Sequence, residues 1–151
     1  MNALDWLKNE HAKAKEKFAE IEGAAAAGRG ELWDKLEPEL EVHEIVERMH
    51  LYGPVARTSE ARGTKLEAWD KRHTEEVDEV KDVIGTMADA DPAGDEWLAN
   101  LREVKSLLEE HIGEEENEIW PEIRRIWDAA RLEDAGTKME ETHSEKLRAK
   151  S

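Results

Sequence analysis

Apolar side chains recur at alternating steps of three and four residues in four separate segments of this chain. In the first segment the stripe consists of Leu4, Leu7, His11, Ala14, Phe18 and Ile21. Three later segments repeat this spacing, and runs of β-branched residues are absent. The spacing places the stripe on one face of an α-helix. We therefore expect an all-α fold in which four amphipathic helices form an antiparallel up-down four-helix bundle.

Glycine and proline residues mark the expected connections between these helices. They cluster within residues 23–30, at Gly53-Pro54 and within residues 89–95. A more polar stretch follows Pro121, and its apolar positions predict one or two short helices lying against the bundle. We therefore expect a bundle over residues 1–125 and a C-terminal helical extension over residues 126–151.

The four segments contain an internal repeat. A shift of 62 residues carries His11 onto His73. A shift of 68 residues carries His43 onto His111 and also carries the glutamate at 47 onto the one at 115. The first helix pair therefore resembles the second, which predicts pseudo-two-fold symmetry with equivalent residues facing each other at the centre of the bundle.

The charge of the chain excludes several classes of partner. Lys and Arg number 22 and Asp and Glu number 38, which gives a net charge of −16. Nucleic acid and anionic membrane surfaces both require a basic face, so neither is expected as a partner. An acidic chain of this kind suits a protein that attracts cations.

The chain contains no cysteine. This excludes disulfides, thiolate catalysis, iron–sulfur clusters and cysteine-ligated zinc sites. No apolar run approaches the roughly 18 residues that span a bilayer, and the N-terminus lacks the layout of a signal peptide. We expect a cytoplasmic protein, as a monomer or a weak homo-oligomer.

Each of the four stripes has one histidine at mid-helix, and the four are His11, His43, His73 and His111. The second and fourth segments add a glutamate four residues later, at Glu47 and Glu115, on the same helix face. Without partners, these groups would each cost several kcal/mol in an apolar core. A pair of cations is the stable solution. Four imidazoles and two bridging carboxylates suit iron, manganese or zinc, with open positions for oxygen species.

These motifs resemble the hemerythrin-like family, the HHE cation-binding domains, over about residues 2–125. The residues that carry the resemblance are Asp5-Trp6-Leu7-x-x-x-His11, His43-Glu44-x-x-Glu47, His73 and His111-x-x-x-Glu115-Glu116-x-x-Ile119-Trp120-Pro121. The resemblance implies a four-helix bundle with a non-heme centre of two iron ions, oxo- or hydroxo-bridged. The ligands it implies are His11, His43, Glu47, His73, His111 and Glu115.

Two positions depart from the oxygen-carrying members of that family. Those members have a second histidine four residues after the third-helix histidine, where this chain has Val77. They also have an aspartate five residues after the fourth-helix histidine, whereas Glu115 follows His111 by four. The chain therefore resembles the four-His, two-Glu subset, in which the two irons are more alike and more open and reversible oxygen carriage is less expected.

Several polar residues near the stripes have two interpretations each. The only tyrosine, Tyr52, lies nine residues after His43, which on a regular helix points to the opposite side. A helix ending at Gly53-Pro54 could still turn it inward as a candidate catalytic residue, binding ferric iron or moving protons. Similarly, His50 is either a partner near the site or a polar residue at the end of the bundle. Three glutamates either hold imidazole N–H groups or are solvated; these are Glu44, Glu76 and Glu110.

Function is left with three hypotheses. The first is a di-iron oxidoreductase that reacts with hydrogen peroxide in a catalase-like way, or with dioxygen. The second is a protein that binds or senses oxygen, nitric oxide or iron without turnover. The third is a metal-free structural bundle. The small-molecule partner is thus peroxide, dioxygen or nitric oxide, and whether the chain is an enzyme stays open.

Overall fold

The computed structural model describes residues 1–150, so Ser151 of the expected extension lies outside the described residues. Within residues 1–150 there is no strand, and the prediction of an all-α bundle is confirmed. In these residues the α-helices are α1 (Ala3–Gly23), α2 (Arg29–Glu47), α3 (Gly53–Ala56), α4 (Lys65–Ala88), α5 (Asp95–Glu114), α6 (Trp120–Ile126) and α7 (Ala129–Lys150). No helix in this range is both long enough and apolar enough to cross a bilayer.

Buried apolar side chains form two separate clusters. One contains Leu7, Val46 and Trp69 together with side chains of α6 and α7. The other contains Phe18 and Leu36, together with side chains of α4 and α5. Along α1 and α4, the histidines of the stripes lie between the two clusters. The bundle therefore has a polar layer with an apolar cluster on each side.

The C-terminal helix α7 packs across α1 and α2. Its small residues Ala135 and Gly136 are buried, as is Met139. A Cβ at Gly136 would lie 2.1 Å from the carbonyl oxygen of Met1, so only glycine allows this approach of the N-terminus. The predicted division at residue 125 stays a prediction, and it falls one residue before the end of α6.

Two π-helical turns interrupt the bundle at equivalent places in the two halves. They span Arg48–Tyr52 and Glu115–Ile119. Each is followed within two residues by a proline, Pro54 or Pro121. Proline donates no hydrogen bond to the carbonyl four residues earlier, and its ring crowds that carbonyl, so the preceding turn widens. Each widened turn inserts one residue and rotates the following side chains by about 100°.

Gly53 permits the first of these turns. A Cβ at this position would lie 2.7 Å from the carbonyl oxygen of Arg48. That separation is too short for any side-chain carbon, so the close approach of the two backbone segments requires glycine. The turn in consequence directs Tyr52 into the bundle, where only 2% of its surface is exposed.

Candidate metal centre

The six candidate ligands come from four helices and converge on one level. α1 contributes His11, α2 contributes His43 and Glu47, and α4 contributes His73. α5 contributes His111, and the π turn that follows it contributes Glu115. All six line a single cavity inside the bundle. The carboxylates and the side chains of His11 and His73 are buried. The side chain of His43 is 20% exposed, which makes it the most accessible of the six.

Three of these side chains form a first group in the N-terminal half. One ligand atom from each of His11, His43 and Glu47 lies within 4.8 Å of the other two. The two imidazole rings have centroids 5.0 Å apart. Nε2 of His11 lies 4.0 Å from Oε1 of Glu47, and Nε2 of His43 contacts the same oxygen. Such a trio of donors can hold a metal ion.

A second group shares one carboxylate with the first. It consists of Glu47, His73 and His111, again with ligand atoms within 4.8 Å of one another. Nε2 of His73 lies 3.6 Å from Oε2 of Glu47. The imidazole rings of His73 and His111 have centroids 4.9 Å apart. Glu47 therefore directs one oxygen to each half of the bundle.

Glu115 occupies the corresponding position on the other side. Its Oε1 lies 4.0 Å from Nε2 of His11 and 2.9 Å from Nε2 of His111. Each carboxylate thus lies between the two histidine pairs. This is the arrangement that the internal repeat predicts, with equivalent residues facing each other across the centre.

Burial and mutual contact shift the ionisation of the cluster. Burial opposes the charged form of Glu47, but contact with His43 holds its pKa well below the ordinary value. Burial and the charge of Glu47 raise the pKa of Glu115. Burial also opposes the charged form of His111, yet Glu115 and Glu76 raise its pKa to about 11. Positive charge at this level is therefore stabilised by the acidic side chains.

Unpartnered donor atoms test whether these residues fit a metal ion. Within residues 1–150, Nε2 of His11 and Oε2 of Glu47 are buried without a hydrogen-bond partner. Leaving such an atom unsatisfied costs about 1–3 kcal/mol. Imidazole nitrogen and carboxylate oxygen are the ligands that iron, zinc and manganese take in proteins. The residues present fit a metal centre.

Two further glutamates contact the Nδ1 atoms of candidate histidine ligands. Nδ1 of His11 lies 3.1 Å from Oε2 of Glu116, and Nδ1 of His111 lies 2.6 Å from Oε2 of Glu76. When Nδ1 donates to a carboxylate, Nε2 keeps its lone pair for a metal. One imidazole in each half is oriented in this way.

The sequence singles out only one of these two glutamates. Glu76 is among the three candidates for holding imidazoles, whereas Glu116 is not. Glu44 instead pairs with Nη2 of Arg48 at 3.2 Å, and Glu110 is exposed. Glu116 follows the fourth-helix histidine by five residues and reaches His11 from within a π turn. A regular helical period gives no indication of that contact.

Tyr52 lies in the bundle interior rather than on the opposite side. Its hydroxyl donates a hydrogen bond to Oε2 of Glu115 and accepts one from Nε1 of Trp120 at 3.0 Å. Burial and the negative charge of Glu115 raise the pKa of Tyr52 well above the ordinary value. The side chain is therefore a neutral phenol that holds a carboxylate of the cluster.

Two tryptophans stack on candidate ligands, one in each half. The ring of Trp120 lies over His11, with centroids 5.5 Å apart and planes inclined by 12°. The ring of Trp69 lies over His111, at 5.3 Å and 25°. The apolar spacing of the sequence places both indoles in the core but gives no indication of this stacking.

His50 lies outside the cluster. Its Nε2 is 2.7 Å from Oγ1 of Thr142 in α7. Of the two interpretations of His50, the structure supports a polar residue near the end of the bundle, where its side chain links the first π turn to the C-terminal helix. The π turn accounts for this, because it rotates His50 away from the face that carries His43.

The comparison with protein families gives the class of the chain. The family model of the hemerythrin HHE cation binding domain matches residues 2–123. The chain belongs to this family. It is a hemerythrin-like metal-binding domain with a candidate site built from histidine and glutamate.

A solved structure extends the likeness to nearly the whole chain. It is the crystal structure of a hemerythrin HHE cation binding domain-containing protein from Mycobacterium kansasii. The two chains are 27% identical with a TM-score of 0.81, and the alignment covers 99% of this chain and 89% of the other. In a comparison with curated proteins, no sequence matches this chain.

Proposed function

We propose that this chain holds two iron ions and consumes hydrogen peroxide in a catalase-like reaction. The ligands in this proposal are His11, His43, Glu47, His73, His111 and Glu115. They make the four-His, two-Glu set of the family. Two molecules of hydrogen peroxide are converted to two molecules of water and one of dioxygen.

One observation carries this proposal. Six donor side chains meet in one layer of the bundle, and both carboxylates lie between the two histidine pairs. Two of the donor atoms, Nε2 of His11 and Oε2 of Glu47, have no hydrogen-bond partner within the described residues. A structural bundle would fill this level with apolar side chains, because unpaired buried polar groups cost several kcal/mol. Bound iron ions supply Lewis acidity and accept or return electrons.

The surrounding residues keep the cluster in place. Glu116 and Glu76 hold Nδ1 of one imidazole in each half, which fixes the ring orientation and leaves Nε2 for the metal. Tyr52 holds Oε2 of Glu115 through its hydroxyl, and Trp120 in turn holds that hydroxyl. In this proposal Tyr52 is a positioning residue: its hydroxyl keeps its proton and donates it in the hydrogen bond to Glu115.

The valine at position 77 favours peroxide turnover over reversible binding of dioxygen. Val77 lines the cavity at the place where oxygen-carrying members, by resemblance, have an additional histidine. With one imidazole fewer, more of the coordination sphere is open to a reactant. The alternative, binding or sensing of dioxygen, nitric oxide or iron without turnover, has no comparable support from the described residues.

Metal analysis and an oxygen electrode together test the proposal. We expect two irons per chain and stoichiometric dioxygen release from hydrogen peroxide, at a rate well above that of the same amount of free iron. Glu47→Gln should abolish this release, and Glu44→Gln, one turn earlier on α2, should keep it. A rate equal to that of free iron would refute the proposal. Reversible spectral change with dioxygen or nitric oxide, without peroxide consumption, would support the alternative.

A further inference from the structure

The cavity that contains the six candidate ligands is much larger than a peroxide site. Its volume is about 770 Å³. Pockets for small organic molecules range from about 300 to 1,000 Å³. Hydrogen peroxide is not much larger than water, whose share of the liquid is about 30 Å³. Most of this space is therefore available to a larger occupant.

The additional space extends along the helices, away from the candidate ligands. On α1 the lining runs from His11 to Phe18, and on α2 it runs from His43 back to Leu36. Each of these pairs is separated by seven residues, which corresponds to about 10 Å along a helix. The lining of this part is mainly apolar and includes Ala14, Leu40, Val77, Val80, Ile84 and Leu108.

The charged residues around the cavity select against anions. Besides the six candidate ligands, ten glutamates and three lysines line it. A rim with this excess of negative charge repels carboxylates and other anionic molecules. The apolar lining in turn disfavours a charge of either sign, because a charge buried there would have no partner. An occupant of the apolar part is therefore uncharged.

We propose that the cavity binds the hydrocarbon chain of an uncharged organic hydroperoxide, with the hydroperoxyl group at the level of the histidines and glutamates. This inference rests on the proposed peroxide reaction and names a second substrate class for it. A chain of about eight carbons has the length of the apolar part. The hydroperoxide ROOH is reduced by two electrons to ROH. Hydrogen peroxide supplies these electrons and is oxidised to dioxygen, so that ROOH and H2O2 give ROH, H2O and O2.

Binding of stable alcohols measures the cavity directly. We suggest calorimetric titration of the iron-loaded full chain with 1-butanol, 1-hexanol and 1-octanol. Each added methylene that enters the cavity should tighten binding about fourfold. The gain should stop beyond about eight carbons, where the cavity ends. Equal affinities for butanol and octanol would overturn the inference.

The charge of the rim gives a second measurement. Octane-1-sulfonate has an eight-carbon chain like octanol, carries a negative charge at neutral pH and is only a weak ligand for iron. We expect it to bind at least tenfold more weakly than octanol. Binding of the sulfonate as tight as that of octanol would contradict an occupant that is uncharged. Raising the salt concentration should reduce the difference, because screening weakens the repulsion.

Two matched substitutions on α1 locate the binding site. Ala14→Phe fills the apolar part next to His11 and should remove the dependence on chain length. Ala12 is exposed on the same helix outside the cavity, so Ala12→Phe should leave binding unchanged. If Ala14→Phe does not fold, Val80→Phe on the facing helix provides the same test. Equal loss of octanol binding in the cavity and control variants would refute the assignment.

Peroxide turnover on the same samples separates the two proposals. Dioxygen release from hydrogen peroxide without octanol binding would overturn the inference and leave the proposed function intact. Octanol binding without peroxide consumption would refute the proposed function and with it the substrate class. Octanol binding together with faster consumption of octyl hydroperoxide than of butyl hydroperoxide is the expected result.

Discussion

The hydroxyl of Tyr52 donates a hydrogen bond to Oε2 of Glu115, which lies 63 residues later in the chain. The same hydroxyl accepts from Nε1 of Trp120. One side chain therefore joins the N-terminal half of the bundle to a carboxylate of the C-terminal half. Tyr52 reaches this position because a π turn follows Glu47.

Removal of this hydroxyl should weaken the fold. In Tyr52→Phe, Glu115 and Trp120 each lose a buried partner, and we expect the free energy of unfolding to fall by about 2 kcal/mol. Urea denaturation of the metal-free protein measures this change. Trp120→Phe removes only one of these two bonds, but it also removes part of the buried ring that stacks on His11, so we expect an additional loss from the cavity that is left. An unchanged unfolding midpoint for Tyr52→Phe would show that these bonds contribute nothing.

Substitution of a carboxylate between the histidine pairs should remove metal. Glu47 faces both pairs. For the proposed site of two ions, we expect Glu47→Gln to reduce the metal content from two ions per chain to one or none. Glu44 is also buried on α2, but it pairs with Arg48 outside the cluster. Glu44→Gln should therefore keep both ions. Elemental analysis of the two purified variants distinguishes a bridging carboxylate from a merely buried one.

The glutamates behind the imidazoles should affect metal affinity without abolishing binding. Glu76→Ala and Glu116→Ala each remove an acceptor from Nδ1 of a candidate ligand, and we expect about 10–100-fold weaker metal binding. Glu75 is exposed beside Glu76, so Glu75→Ala is the matched control. Competition with a chelator of known affinity measures the difference. Equal affinities in the control and the two variants would contradict the positioning role.

The close approach of α7 to the N-terminus gives a prediction about stability. Gly136→Ala would place a carbon 2.1 Å from the carbonyl oxygen of Met1, so we expect a loss of about 1–3 kcal/mol. Gly85 lies inside α4, and a Cβ there would have no neighbouring atom within 4 Å, so Gly85→Ala should stabilise the protein by about 1 kcal/mol. Thermal denaturation of both variants should therefore show shifts of opposite sign.

Acid should weaken the contact that His50 makes between the first π turn and α7. Burial and the nearby Lys138 lower the pKa of His50 in the folded protein. The unfolded chain therefore binds the proton at higher pH than the folded one, and stability rises with pH through this window. The contribution of His50 to stability is fully present above the unfolded pKa of about 6.5. It is lost as the pH falls through the lower pKa that His50 has in the folded protein. His50→Gln should show a shallower decline of the unfolding free energy on acidification than the unsubstituted protein.

The sequence predicted those parts of the site that follow from helical spacing. Histidines at steps of three and four from apolar residues must face the core, and glutamates four residues later share that face. These two regularities place His11 and Glu47, with their counterparts, at one level. The family resemblance named the same six residues.

The parts that the sequence could not predict depend on the two π turns. A regular helix points Tyr52 away from His43 and leaves Glu116 without a defined partner. The widened turns rotate both side chains toward the cluster. Pro54 and Pro121 indicate that the helices are disturbed there, but proline can also end or kink a helix. The stacking of tryptophans on histidines likewise depends on packing between helices.

The stacking of Trp120 on His11 and of Trp69 on His111 gives the protein an internal optical reporter. Iron quenches indole emission at short range, and one such ring accompanies a histidine in each half. Progressive quenching during titration would follow the filling of both halves from a single fluorescence trace. Trp120→Phe or Trp69→Phe would remove the fluorescence signal from one half of the bundle and so reveal the order in which the two halves bind metal.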